Sequence, residues 1–79
     1  MPKKTTKKKL YLIDDNINSF KYVVYCLVNI IPEYNVIRAE QVAQLVHYNG
    51  RCCITTGNDT DLWEYWLALK SKNLSVEII

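Results

Sequence analysis

The spacing of apolar residues along this chain alternates between two and about 3.6, the periods of strand and helix, and that alternation limits the possible folds more than any other feature. Phe20, Val23, Val24, Leu27, Ile30 and Ile31 recur at three and four, marking one face of an amphipathic helix over residues 19–31. Pro32 stops it, and Asn35 offers a turn before the next helix. Residues 36–48 read as that second helix, with Ala39, Val42, Ala43, Leu45 and Val46 inward and Gly50 as terminator. Shorter alternating runs read as strands at KLYLI (9–13), RCCIT (51–55) and LSVEII (74–79), the last with Val76 and Ile78 on one side.

The joints fit this order. DDNIN (14–18) is a loop with capping residues, Asn18 being the expected N-cap of the first helix. TGND (56–59) reads as a turn, and Asp61 with Glu64 as a capping pair for a third helix over 61–72. Leu62, Trp66 and Leu69 form the stripe of that helix, with Trp63 near its edge. The expected fold is α+β in the order β-α-α-β-α-β: a small three-stranded antiparallel sheet with three helices on one face, in two layers.

Size and charge limit the function. The 79 residues, 49% of them hydrophobic, describe one small domain with a single core and room for a groove or edge pocket. The net charge of +2 conceals an uneven distribution, because Lys3, Lys4, Lys7, Lys8 and Lys9 supply five of the ten basic residues. The remaining body is mildly acidic. Residues 1–8 therefore read as a flexible lysine-rich tail and residues 9–79 as the folded domain. The apolar run after the lysines is four residues long, against ~7–15 for an export signal and ~20 for a membrane span. The expectation is a cytoplasmic protein with no membrane association.

Few residues suggest chemistry. One histidine and three cysteines with no CxxC spacing give no basis for a metal site, and no cofactor motif is present. Cys26 falls on a helical apolar pattern; adjacent Cys52 and Cys53 point to opposite faces of a strand, which suits reduced thiols. A Cys-His enzyme built on His47 with Cys52 or Cys53 is conceivable by residue type alone. His47 lies in the last turn of helix two, where the dipole favours its charged form, and by itself reads as a helix-end histidine without a task. Asp14 and Asp15 suit a turn, yet two adjacent carboxylates repel unless they point apart or share a cation.

The order of these pieces resembles a known family. LIDDNINSFKYV, then AEQVAQLVHYNGRC, then NLSVEI resemble ClpS, the adaptors of Clp proteases, over about residues 10–79. VHY-x-G (46–50), following the acidic loop and an aromatic-valine helix, carries most of the likeness. The resemblance implies a binding module, not an enzyme, that takes substrates with a bulky hydrophobic first residue (Leu, Phe, Tyr or Trp). It would hand these N-degron proteins or peptides to a Clp-type AAA+ unfoldase.

By position, the family's Asn-Asp-Asp becomes Asp14, Asp15 and Asn16, with Asp15 the central carboxylate and His47 the family histidine. Asp14, Asp15 and His47 would then hold the free α-amino group. Asn18 takes a pocket-lining loop position, and Phe20 replaces a gating methionine. Val23, Ala43 and Val46 fall on pocket walls, with Leu74 beside them. Three departures stand out. Asp14 stands where the family has Asn, adding a negative charge and predicting a preference for a basic second residue. Ala43 replaces a bulkier residue, and Phe20 exceeds methionine in size, so the pocket is reshaped.

An enzyme using Asp14, Asp15 and His47 would need turnover that none of these residues explains, and two further rivals differ in class or in competence. One is a degenerate member that keeps the fold without recognising N-degrons. The other is a small nucleic-acid or ribosome-associated binder using the lysine tail, although the acidic body lacks base-stacking aromatic motifs and argues against nucleic acid.

Overall fold

A computed structural model describes residues 7–79. The expected tail lies largely outside them. Six elements follow in the expected order: β1 (Lys8–Ile13), α1 (Phe20–Ile30), α2 (Val36–Asn49), β2 (Arg51–Gly57), α3 (Asp59–Ser71) and β3 (Ser75–Ile78). The strands form one antiparallel sheet in the order β2-β1-β3, so the first strand is the central one. Leu12 pairs with Cys52 on one side and with Val76 on the other.

One irregularity shapes the sheet. Leu10 pairs with Thr55 and Tyr11 with Cys53, leaving Ile54 without a partner. This is a β-bulge, which bends the strand and resets its alternation. Ile54 turns fully inward at the bulge. Its carbonyl accepts a 2.8 Å bond from the Tyr34 hydroxyl, in the turn between α1 and α2. Burial pushes the Tyr34 hydroxyl up to about 12, so it remains a donor throughout the neutral range.

The core is one cluster between sheet and helices. Leu10, Leu12, Ile54 and Val76 from the strands meet Val24 and Leu27 of α1, Ala39 and Val46 of α2, and Leu62 and Leu69 of α3. The first helix packs against both other helices. Tyr11, on the opposite side of β1, lies beneath the Arg51 guanidinium at 4.8 Å. All three cysteines are free thiols, Cys26 buried in the core and Cys52 and Cys53 half-buried in β2.

Several local expectations require correction. Ser19 caps α1, its hydroxyl accepting from the Tyr22 N–H, while the Asn18 amide donates to Asp15 and to the Asn73 carbonyl. The second strand continues to Gly57, and Asn58, not Asp61, caps α3 by accepting from the Asp61 N–H. An asparagine directly after a strand end outcompetes an acidic residue already inside the first turn. Leu45 is 46% exposed. It lies one residue, or about 100°, around the helix from the buried line through Val42 and Val46.

Gly50 ends α2 as expected, at φ 89° in the left-handed region, with its N–H on the Val46 carbonyl. A Cβ there would meet no atom within 4 Å, so only backbone strain opposes a side chain. Gly50→Ala should therefore cost about 1–2 kcal/mol. A urea midpoint unchanged from wild type would show that the turn relaxes instead.

Candidate functional site

The β1–α1 loop meets the end of α2 because the chain is tied there. The Asp14 N–H donates to the Gly50 carbonyl at 2.8 Å, extending the β1–β2 pairing past Ile13. That bond sets Asp14 beside the last turn of α2. The nearest Asp14 carboxylate oxygen lies 3.8 Å from His47 Nδ1. The His47 side chain is 74% exposed and that of Asp14 35%. Tyr48 stands edge-on to the imidazole at 5.8 Å.

Asp15 organises the loop. Its Oδ1 accepts from the backbone N–H groups of Ile17 and Asn18, each at 3.0 Å. Its Oδ2 accepts from Asn18 Nδ2 at 3.0 Å and from the Ser75 hydroxyl at 3.2 Å. Burial alone would raise the Asp15 pKa, but bonds from Asn18, Ile17 and Ser75 outweigh it and hold the group below the usual carboxylate range. The same Asn18 amide donates to the Asn73 carbonyl at 2.9 Å, and the Tyr22 hydroxyl to the Lys72 carbonyl at 2.9 Å. Asn73 itself holds a left-handed φ of 66° at the turn from α3 into β3. The loop is thus stitched to a segment more than fifty residues away.

Between these ties lies a cavity of about 570 Å³. Its size falls within the roughly 300–1,000 Å³ of small-ligand sites. Val23 of α1, Ala43 and Val46 of α2, and Leu74 before β3 supply apolar walls, together with Leu12 of the sheet. Phe20 lines the cavity from the first turn of α1 and is 42% exposed. Asp14, Asp15, Asn18 and His47 complete the lining with polar atoms. All nine residues singled out in the sequence therefore surround one space.

Sequence reasoning missed other members. Gln44 and Tyr48 also line the cavity. Gln44 lies three residues before His47 and four before Tyr48 on one helix, and that spacing was the available signal. Ser75 had none, because nothing local connects it to Asp15.

Chemically, this arrangement could take a cation with an apolar body. Carboxylate and imidazole acceptors sit beside an apolar hollow. The cysteines do not join them, since neither Cys52 nor Cys53 lines this cavity. Burial and the neighbouring Cys53 raise the Cys52 pKa, the opposite of what a nucleophilic thiolate needs. Among the described residues, no three His, Cys, Asp or Glu side chains converge to hold a metal ion. No helix among them is long and apolar enough to cross a membrane.

Comparison with known proteins agrees with this architecture. The fold is similar to that of ClpS2 from Agrobacterium tumefaciens, solved bound to L-phenylalaninamide, with a TM-score of 0.82 over 96% of this chain and 100% of that one. The two are 12% identical, so the likeness is one of fold. In sequence, the chain is 33% identical over 49 residues to the ATP-dependent Clp protease adapter protein ClpS of Thermosynechococcus vestitus. That match covers 62% of this chain and 52% of the relative, about half its length. The family model for the ATP-dependent Clp protease adaptor protein ClpS matches residues 3–75, nearly the whole sequence. With that match and the shared fold, the chain belongs to the ClpS family.

Proposed function

We propose that this protein binds the free N-terminal residue of substrate proteins when that residue is Leu, Phe, Tyr or Trp, and delivers them to a Clp-type unfoldase-protease in the cytoplasm. The observation that carries the reading is the placement of Asp14, Asp15 and His47 beside an apolar cavity of about 570 Å³. An N-terminal residue is the one part of a polypeptide that offers an ammonium group and a side chain from the same carbon. The three N–H donors of that ammonium suit the polar side of the site. The side chain would enter between Val23, Ala43, Val46 and Leu74. Asn18 and Phe20 would close the pocket at the start of α1.

Membership of the adaptor family supports delivery to the protease. The phenylalaninamide held by the Agrobacterium protein supports the choice of ligand, since it combines a free amine with a bulky apolar side chain. The site has acceptors but no activated nucleophile, which fits binding without turnover. A second carboxylate at position 14, beyond Asp15, would favour substrates with a basic second residue.

Fluorescence anisotropy with labelled peptides that differ only in their first residue tests the proposal. Peptides beginning with Leu, Phe, Tyr or Trp should bind at least tenfold more tightly than one beginning with Gly. An aromatic or leucyl side chain buries apolar surface worth about 1.5–3 kcal/mol, and 1.4 kcal/mol is tenfold. Equal affinities across the set would leave a ClpS fold without N-degron recognition.

A further inference from the structure

We propose that the protein self-associates as a two-fold dimer through the outer face of α3, where Trp63 and Trp66 form the centre of a self-complementary stripe. The inference is independent of the ligand reading above, since no residue of α3 lines the cavity.

The third helix carries two apolar faces. Leu62 and Leu69 are fully buried, with Tyr65 packed beside them. Trp63 and Leu67, each half exposed, share a second stripe with Trp66 and Lys70 at spacings of three and four. The Trp63 and Trp66 rings stack at 4.7 Å with 6° between their planes, and the Lys70 ammonium stands 5.5 Å from the Trp66 ring centre. Tryptophans grouped on an exposed helix face are the residues that dominate interface energies, unlike single scattered apolar side chains.

The same indole closes the neighbouring sheet edge. Lys9 and Ile79 exchange both backbone bonds, so by alternation Leu12 and Val76 are a pair that exchanges none. The Val76 carbonyl therefore points away from β1, toward the outer edge of β3. Trp66 Nε1 donates to it at 3.2 Å. A partner strand cannot extend the sheet there without breaking that bond. Docking at this corner must use the helix side chains.

The order of charges identifies the partner as a second copy. Asp59 stands four residues before Trp63, and Lys70 four after Trp66. Let two α3 helices run antiparallel about a two-fold axis. The register that sets Asp59 of one copy against Lys70 of the other also sets Trp63 against Trp66. Each contact is then made twice, as an isologous interface requires. Asp59 already has Lys8 at 3.6 Å, but its side chain is largely exposed and leaves room for a second cation.

Sedimentation velocity of the full chain from about 1 μM to about 1 mM measures the association directly. Trp63 and Trp66 are the chain's two tryptophans, and their emission should shift to the blue over the same range. Wild type should dimerise reversibly, and Trp63→Ala should weaken the dimer at least tenfold at a nearly unchanged thermal midpoint. Asp59→Lys and Lys70→Glu should each weaken self-association about tenfold, because each sets two like-charge pairs across the axis. Mixed in equal amounts, these two variants restore opposite charges at both pairs and should associate within about threefold of wild type. Wild type that stays monomeric up to about 1 mM overturns the proposal. A mixture that associates no better than either variant alone overturns it too, since the stripe is then not paired in this register.

Discussion

Acetylating the α-amino group of a Phe-first peptide is expected to weaken its binding about a hundredfold or more. Acetylation removes the positive charge and leaves one amide N–H where three ammonium donors stood. A hydrogen bond to a charged group contributes about 1.5–3 kcal/mol, and a buried acceptor left unpaired costs about 1–3 kcal/mol. Two such changes together come to about 2.5–6 kcal/mol, on the order of a hundredfold or more in affinity. The acetyl group also needs room beside His47, where a 3.8 Å gap separates the imidazole from Asp14. Competition anisotropy against the free peptide measures the effect. Acetylated and free peptides that compete equally would place the ligand's amine in solvent, and the acceptors at the mouth would then have another role.

Leu27→Ala should remove a large fraction of the chain's stability. Leu27 is fully buried on α1, a helix that is held chiefly by packing against α2 and α3. Truncating a buried leucine costs about 2–5 kcal/mol through lost transfer energy and the cavity left behind. A domain of this length has about 4–12 kcal/mol in total, at 0.05–0.15 kcal/mol per residue. The expected fall in thermal midpoint is roughly 8–40 °C, at about 4–8 °C per kcal/mol. Urea unfolding gives the free energy and the melt gives the midpoint. A loss below about 1 kcal/mol would mean that the helices close over the missing side chain, and that the contact among α1, α2 and α3 is plastic. The peptide site should fail with it, because Val23 and Phe20 reach the cavity from the same helix.

The element order was readable because each helix has an apolar face that must be buried. Val24 and Leu27, Ala39, Val42 and Val46, and Leu62 and Leu69 repeat at three, four and seven, and all are buried. Boundaries were less secure. Asn18, Ser19, Asn58 and Asp61 are all competent caps by composition. Which of them caps a helix depended on which side chain had another partner. Asn18 turns its amide to Asp15 and Asn73, and Ser19 is the cap. The bulge at Ile54 carries no mark of its own in RCCIT.

At the site, residue types were legible and their duties were not. Asp14, Asp15 and His47 were marked out by a carboxylate pair and a lone histidine at a helix end. They gave no sign that one carboxylate would be consumed by the fold and the other left open. That division comes from Ser75, sixty residues from Asp15 in the chain, and from the antiparallel pairing of β1 with both β2 and β3.

The sequence by itself determined the periodic content: which stretches are helix or strand, which stripe of each helix turns inward, and the stops at Pro32 and Gly50. These depend on residues within a few positions of one another, so local sterics and amphipathic spacing decide them. Only the tertiary structure decided that β1 lies in the middle of the sheet, that Gly50 receives Asp14, and that Asp15 answers to Ser75. Such contacts are chosen by global packing and by the need of each buried polar group for a partner, and neither condition is written at any one place in the chain.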